Sequence, residues 1–365
     1  MRIALVHDYL NQYGGAERVV EVLHEIYPEA PIYTSIYDEK VMPAAFHNLD
    51  IRFSFMQYLP FVFWLFRAYF FLYPFAFQSF DLSSYEVILS SSSAFAKGIK
   101  KNKNQLHICY CHTPARFLWR YEDYLKRENI PDWLKFILPY FLEPIKKWDL
   151  ENSCQVDYFI ANSFTVAERI KRIYGRESVI INPPVDTSFY QPSEINQDYF
   201  LVVSRLTAYK RIDLVIEAFN KLDLPLKVIG VGPSYARLKK MAGPNIEFLG
   251  RVSNEEVAEH LAQCRALIFP GEEDFGIVPL EAMACGRPVI AFKAGGALET
   301  VIEGQTGLFF ETQTVEALVS TINRFQFEVF NKDKIRNHAL KFDKKVFKSK
   351  IGAFLKEKYE ERFGH

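Results

Sequence analysis

Cysteine is scarce in this chain of 365 residues: there are five, at positions 109, 111, 154, 264 and 285. An odd number, with several inside apolar runs, argues against a disulfide framework and for a reducing compartment. The Cys109-Tyr-Cys111 spacing does not suit zinc and reads as part of a buried strand. Neither sign of charge is in surplus, since 44 Lys and Arg balance 44 Asp and Glu. That excludes a global basic footprint for nucleic acid. No repeat and no low-complexity segment is visible. No apolar run clearly spans a bilayer either: Tyr58–Phe77 has Arg67 in its middle and prolines at 60 and 74. The uninterrupted stretch falls short of the ~20 residues a membrane helix needs.

What the chain does have is aromatic side chains, 16% of its residues. Tyr58–Phe77 and Trp133–Leu142 are aromatic belts, the second followed by Lys146 and Lys147. Two readings stand side by side. The belts pack on the first sheet, or they form a surface that rests on the inner leaflet and receives a lipid-linked acceptor, with lysines meeting anionic headgroups.

Short apolar runs alternate with amphipathic stretches. Strands are expected at Ile3–Val6, Val87–Ser90, His107–Cys111, Tyr158–Ala161 and Val179–Ile181. Further on they are expected at Phe200–Val203, Leu226–Ile229, Ile246–Leu249, Ala266–Phe269, Pro288–Ala291 and Gly307–Phe310. Helical periodicity falls at Ala16–Ile26, Ala167–Ile173, Arg211–Leu222, Tyr235–Met241, Asn254–Gln263, Pro279–Ala284, Val315–Phe325 and Val346–Tyr359. Such alternation predicts an α/β chain of two doubly wound parallel sheets. A Pro-, Asn- and Gln-rich boundary lies within 182–197. The domains are expected at 1–187 and 188–345, with 346–365 as a terminal helix. Ligands of such sheets bind at the strands' carboxyl ends. Because Met1-Arg-Ile-Ala-Leu-Val6 reads at once as a buried strand, the expected compartment is the cytoplasm, with a peripheral place on the cytoplasmic membrane face as an extension.

The most informative stretch is Glu273-Asp-Phe-Gly-Ile-Val-Pro-Leu-Glu281. Glu273 leaves a buried strand in a loop, and Glu281 lies in a helix with Pro279 in its first turn. Between them, Phe275, Gly276, Ile277 and Val278 offer backbone N–H groups at a helix N-terminus, a cradle for an anion. An anion flanked by two carboxylates, each able to hold a diol, describes a nucleotide-sugar site. Other pieces lie at strand ends: Gly14-Gly15 opening the first helix, Arg205 and Lys210 after Phe200–Val203, and His112-Thr-Pro-Ala-Arg116 after His107–Cys111. Each alone has a bland reading as a tight turn, solvated loop charge or a satisfied loop histidine.

In register, these residues resemble the family-4 retaining glycosyltransferases of GT-B fold. The resemblance implies two Rossmann-like domains facing a central cleft, with the terminal helix crossing back to the first. It implies that Glu273 binds the donor sugar's hydroxyls and Glu281 the ribose. Arg205 and Lys210 clamp the diphosphate, Gly14 and Gly15 lie over it, and His112 contacts the sugar and steadies charge at the anomeric carbon. Gly232 sits near the nucleotide, and Arg251 and Val252 meet the base. Asp8, Tyr9, Arg116 and Asn162 are acceptor-side candidates. Gly295 and Gly296 need no role beyond turn making. Arg211 departs from the family, which often has Gly there, and leaves the loop conformation in question. No Asp-x-Asp box occurs, and Glu272-Glu273-Asp274 belongs to the Glu-x7-Glu motif, so catalysis without metal or cofactor is expected. The Tyr-Cys-His-Thr-Pro-x-Arg run is similar to bacterial O-antigen mannosyltransferases using GDP-mannose. The expected function is transfer of a hexose, mannose first, to a saccharide or lipid-linked saccharide in cell-surface polysaccharide synthesis. A UDP-sugar-dependent transferase, a GT-B nucleotide-sugar epimerase and a non-catalytic membrane-surface module are the alternatives.

Overall fold

A computed structural model describes residues 1–121 and 132–364, with the side chains of 132–137 outside the description. The chain forms two compact units. One comprises Met1–Pro184 with Phe347–His365, and the other Val185–Val346.

The first unit is built on a seven-stranded parallel sheet: β1 (Ile3–His7), β2 (Ile32–Thr34), β3 (Ile51–Phe53), β4 (Val87–Ser92), β5 (Leu106–Cys111), β6 (Tyr158–Ala161) and β7 (Ser178–Ile180). Their order is β3-β2-β1-β4-β5-β6-β7. Every strand is followed by a crossover, which is what parallel pairing demands. The sequence reading misses β2 and β3. At three residues each, they are too short for alternation to register.

Alternation decides which residue meets which layer. Ile3 and Leu5 of β1, with Val87 and Leu89 of β4, point to the side covered by helix Gly15–Ile26 and the terminal helix. Ala4, Val6 and Ile88 point to the other side, where the aromatic segments pack. The terminal helix Lys344–Phe363 belongs to this unit from Phe347 on. It buries Phe347, Ile351, Phe354 and Leu355 against the sheet, spacings that share one helical face. Burial of a large apolar side chain is worth about 1.5–3 kcal/mol, so this stripe fastens the chain end firmly.

The first aromatic belt divides its side chains. Short helices Val62–Leu65 and Tyr73–Gln78 bury Val62, Tyr73, Ala76 and Phe77. Tyr58, Phe61, Trp64, Phe71 and Phe75 are exposed, Trp64 by 89%. Packing on the sheet therefore accounts for only part of this belt. The second belt falls in helix Asp132–Ser153, which contains Pro139 and Pro144. Tyr140 and Phe141 are exposed and Leu142 is buried, while the side chains of 133–137 lie outside the described residues. No helix among the described residues is long and apolar enough to cross a membrane.

The second unit carries a six-stranded parallel sheet: β8 (Phe200–Val203), β9 (Leu226–Ile229), β10 (Ile246–Gly250), β11 (Ala266–Phe269), β12 (Val289–Phe292) and β13 (Gly307–Phe310). The order is β10-β9-β8-β11-β12-β13. One continuous apolar core joins all six strands and their helices. Both units are therefore doubly wound. The chain order reverses between β1 and β4 in one sheet and between β8 and β11 in the other, and it is outside such reversals that ligands of these folds bind.

Candidate functional site

In the second unit, the reversal point gathers the charged residues singled out from sequence. Arg205 is exposed in the loop leaving β8. Lys210 ends a short 3-10 turn in the same loop. Glu273 lies in the loop leaving β11, and its carboxylate pairs with the Lys210 ammonium. Topology alone brings these two together, across 63 positions of sequence, because β8 and β11 are neighbours.

Glycines allow the loops to approach this closely. A Cβ at Gly230 would stand 1.9 Å from the Ser204 carbonyl oxygen, and one at Gly232 2.4 Å from that of Leu206. The loop of β9 is laced to the loop carrying Arg205 by Ser204 N–H donating to the Ile229 carbonyl and Leu206 N–H to that of Val231, each 3.0 Å. Gly232 thus shapes the Arg205 loop. Gly295 and Gly296 have a comparable part. Cβ atoms there would stand 2.3 Å from the Glu273 carbonyl oxygen and 2.1 Å from that of Phe275, and the Gly296 N–H donates to Glu273 O at 2.9 Å. These two glycines hold the Glu273 loop, a constraint that turn signals do not reveal.

Arg211 adopts a left-handed backbone, φ 56°, immediately before helix Ile212–Leu222. That conformation favours Gly. Here the side chain has partners instead, Asp213 Oδ1 and Gln313 Oε1, both at 3.4 Å.

Helix Ile277–Ala284 begins two residues earlier than the Pro279 start expected from sequence, with Gly276 (φ 84°) before it. Ile277 and Val278 are its first residues, so their N–H groups lack intrahelical acceptors. Glu281 is buried, one turn further in. Phe275 is buried, its ring 6.0 Å from that of Phe342. Arg251 is exposed after Gly250, and Val252 packs partly against the core.

In the first unit, the candidates lie along the carboxyl edge of the sheet. Asp8 follows β1 and is almost wholly buried. Its carboxylate accepts the backbone N–H groups of Ser93, Ala94, Phe95 and Ala96 at 2.5–3.0 Å. It thereby holds the loop after β4. Tyr9 stacks edge-on against Phe66 at 5.1 Å. Gly14 precedes helix Gly15–Ile26, and its N–H donates to the Glu17 carboxylate at 2.8 Å. His112 leaves β5 with its backbone N–H on the Ser92 carbonyl. The Asn162 side chain donates to the His112 carbonyl at 3.0 Å, so Asn162 anchors the histidine's backbone. Arg116 is half-buried in a short helix, Arg116–Trp119.

Sequence reasoning passed over three residues here: His7, Glu17 and Ser91. All three are buried polar groups at the β1–β4 reversal. The available signal was a histidine and a serine run ending otherwise apolar strands. Among the described residues no group of three His, Cys, Asp or Glu side chains is arranged to hold a metal ion. All five cysteines are free thiols.

Comparison with known proteins bears first on the second unit. Residues 187–346 match the family of glycosyl transferases group 1. The matched stretch coincides almost wholly with the second unit, and with two doubly wound sheets the fold is GT-B. An uncharacterized glycosyltransferase of Methanocaldococcus jannaschii, MJ1178, is 30% identical over 58% of this chain and 65% of its own length. A GDP-mannose-dependent alpha-(1-6)-phosphatidylinositol monomannoside mannosyltransferase of Mycolicibacterium smegmatis is 31% identical over 38% of this chain and 44% of its own. The chain thus spans less than two thirds of either relative. The crystal structure of Anabaena Alr3699/HepE in complex with UDP and glucose superimposes with a TM-score of 0.74 at 19% identity, over 98% of this chain and 99% of that one. At that identity it speaks for the fold alone.

Proposed function

We propose that the protein is a metal-independent retaining glycosyltransferase that moves mannose from GDP-mannose to a saccharide or lipid-linked saccharide acceptor. The observation that carries this reading is the Lys210–Glu273 pair at the reversal point of the second sheet, with Arg205 exposed in the same loop. A cation and a carboxylate that hold each other at the end of the sheet can each be turned to a ligand. The ammonium would meet a phosphate and the carboxylate a sugar hydroxyl. The relative named for GDP-mannose and a mannoside acceptor supports the donor and the acceptor class.

In the proposed reaction the bond between the anomeric carbon and the diphosphate oxygen breaks, and a bond to the acceptor oxygen forms on the same face. The acceptor's proton passes to the leaving diphosphate. Arg205, Lys210 and the amides opening helix Ile277–Ala284 neutralise the charge that develops there, a task that preorganised donors perform without a metal. Gly14 and Gly15 would also serve the diphosphate. Glu273 orients the sugar, Glu281 takes the ribose, Arg251 and Val252 meet the base, and His112 steadies the reacting face.

A peripheral membrane position belongs to the same proposal. Its support is the set of exposed aromatic side chains Tyr58, Phe61, Trp64, Phe71 and Phe75, with Arg67 among them. Such a patch of amphipathic rings suits the headgroup region.

The first test is thermal stability with GDP, UDP and ADP in turn, in chelator. A rise with GDP alone supports the mannosyl donor, because ligand binding stabilises by mass action. A rise with UDP alone moves the donor to a UDP-sugar, and no rise with any of the three sinks the site. In a transfer assay, Glu273→Ala and Lys210→Ala are each expected to lower turnover by roughly a hundredfold or more with the fold intact. Co-sedimentation with anionic vesicles should weaken when Phe61 and Trp64 are both replaced by Ser.

A further inference from the structure

Four polar side chains of the first unit form a buried line. Glu17 Oε1 lies 3.7 Å from His7 Nε2. His7 Nδ1 stands 3.0 Å from the Ser91 carbonyl oxygen and 3.2 Å from Ser91 Oγ. Ser91 Oγ is in turn 2.8 Å from His112 Nε2. His7, Glu17 and Ser91 are at most 2% exposed.

Proton positions along this line follow from what each atom faces. A carbonyl oxygen only accepts, so His7 Nδ1 carries a proton and donates to Ser91 O. His7 Nε2 faces a carboxylate, which also only accepts. Both ring nitrogens are therefore matched to the imidazolium form, with Glu17 as counter-ion and Asp8 as a second nearby anion. The directions of titration agree. Burial opposes charge on both groups, yet contact with Glu17 raises the His7 pKa and contact with His7 lowers that of Glu17. The Ser91 hydroxyl then has an N–H donor on its His7 side. Its own proton is left to point at His112 Nε2. Were Nε2 protonated instead, the buried hydroxyl would face two donors and its proton would lose this acceptor, at the usual cost of an unmade buried hydrogen bond.

We propose that Glu17, His7 and Ser91 form a positioning relay that holds the His112 imidazole with Nε2 as acceptor and its proton on Nδ1. The ring is then held in one orientation and one tautomer. Glu17 also accepts the Gly14 N–H at 2.8 Å and the Gln12 side-chain N–H at 3.3 Å. The relay is thereby tied to the Gly14-Gly15 turn, so the turn and the histidine are set by one network. Its catalytic consequence rests on the proposed function, in which His112 meets the donor sugar; the tautomer itself does not.

The test uses the full chain with 15N-labelled histidine. Imidazole 1H–15N correlations are recorded near neutral pH, with the His112 signals identified by their loss in His112→Asn. The expected result is a bare Nε2 and a protonated Nδ1 on His112. That preference should be lost in Ser91→Ala and restored in Ser91→Thr. A protonated Nε2 in the unmodified protein, or an unchanged His112 signal in Ser91→Ala, overturns the relay. In steady-state transfer from GDP-mannose, Ser91→Ala should lower kcat about tenfold with KM within about twofold, and Ser91→Thr should recover most of it. An effect confined to KM would refute the catalytic consequence. If the unmodified protein transfers no sugar, the proposed function fails, and the imidazole signals still decide the relay.

Discussion

Replacing Gly230 with alanine isolates the part that close backbone approach plays in building the second unit's site. A Cβ at Gly230 would stand 1.9 Å from the Ser204 carbonyl oxygen, and the residue's φ is 137°. Real Cβ contacts essentially stop at 3.0 Å, so the two strand ends must part by about 1 Å. Neither side can yield cheaply, since both atoms belong to backbone. Overpacking of this kind costs about 1–3 kcal/mol, and a backbone forced into a glycine-only conformation costs about 1–3 kcal/mol more. Together the loss is about 2–6 kcal/mol. Gly304 provides the control: its φ is 72°, yet nothing lies within 4 Å of its would-be Cβ. Gly304→Ala should therefore lose only the conformational part, about 1–2 kcal/mol. Calorimetry should find the Gly304→Ala midpoint lower by about 2–8 °C and that of Gly230→Ala by clearly more. Nucleotide binding separates them further. The displaced segment carries Arg205, so Gly230→Ala should weaken GDP affinity at a temperature where both variants are folded, and Gly304→Ala should leave it unchanged. Equal losses of stability and unchanged affinity in both would refute the reasoning, because the Ser204 contact would then have no consequence.

Three further outcomes are expected. The His7–Glu17 pair has a raised histidine and a lowered carboxyl pKa. Its contribution is present below the free histidine value of 6.5 and above the free carboxyl value of 4.5, and it fades as pH rises through the folded histidine pKa or falls through the folded carboxyl pKa. Urea unfolding should thus show a larger deficit for Glu17→Gln at pH 5.5 than at pH 9. Lys97 and Asp149 form an ion pair within the core of the first unit, where Asp149 also accepts the Trp119 indole and Tyr174 hydroxyl protons at 2.8 Å. Lys97→Met should destabilise by about 3–5 kcal/mol in denaturant titration, and adding Asp149→Asn, which removes the unpaired charge and keeps an acceptor for both donors, should recover part of the loss. Burial pushes the Cys264 and Cys285 thiols up to about 12, whereas Cys154 is exposed. A thiol reagent monitored by mass should label Cys154 first and leave those two unmodified until the protein unfolds.

The sequence by itself determined the fold class and most of the elements. Strong apolar runs such as Ala266–Phe269 and Phe200–Val203 appear where expected, because central parallel strands are buried on both faces and tolerate little else. The terminal helix was legible from its periodicity, and the Glu-x7-Glu and Arg-x4-Lys spacings were legible because each lies within a single loop and its helix. Tertiary structure alone decided what meets across long separations. Lys210 pairs with Glu273 because β8 adjoins β11, and Ser91 meets both His7 and His112 because β4 lies between β1 and β5. Local spacing contains no record of strand order, so these contacts could not be read in advance. The same holds for glycines: Gly295 and Gly296 resemble ordinary turn residues until the Glu273 loop is seen against them. The aromatic belt marks the same limit. Its composition announced an unusual surface, but only packing on the sheet could separate Tyr73 and Phe77, which it buries, from Phe61 and Trp64, which it leaves to the solvent.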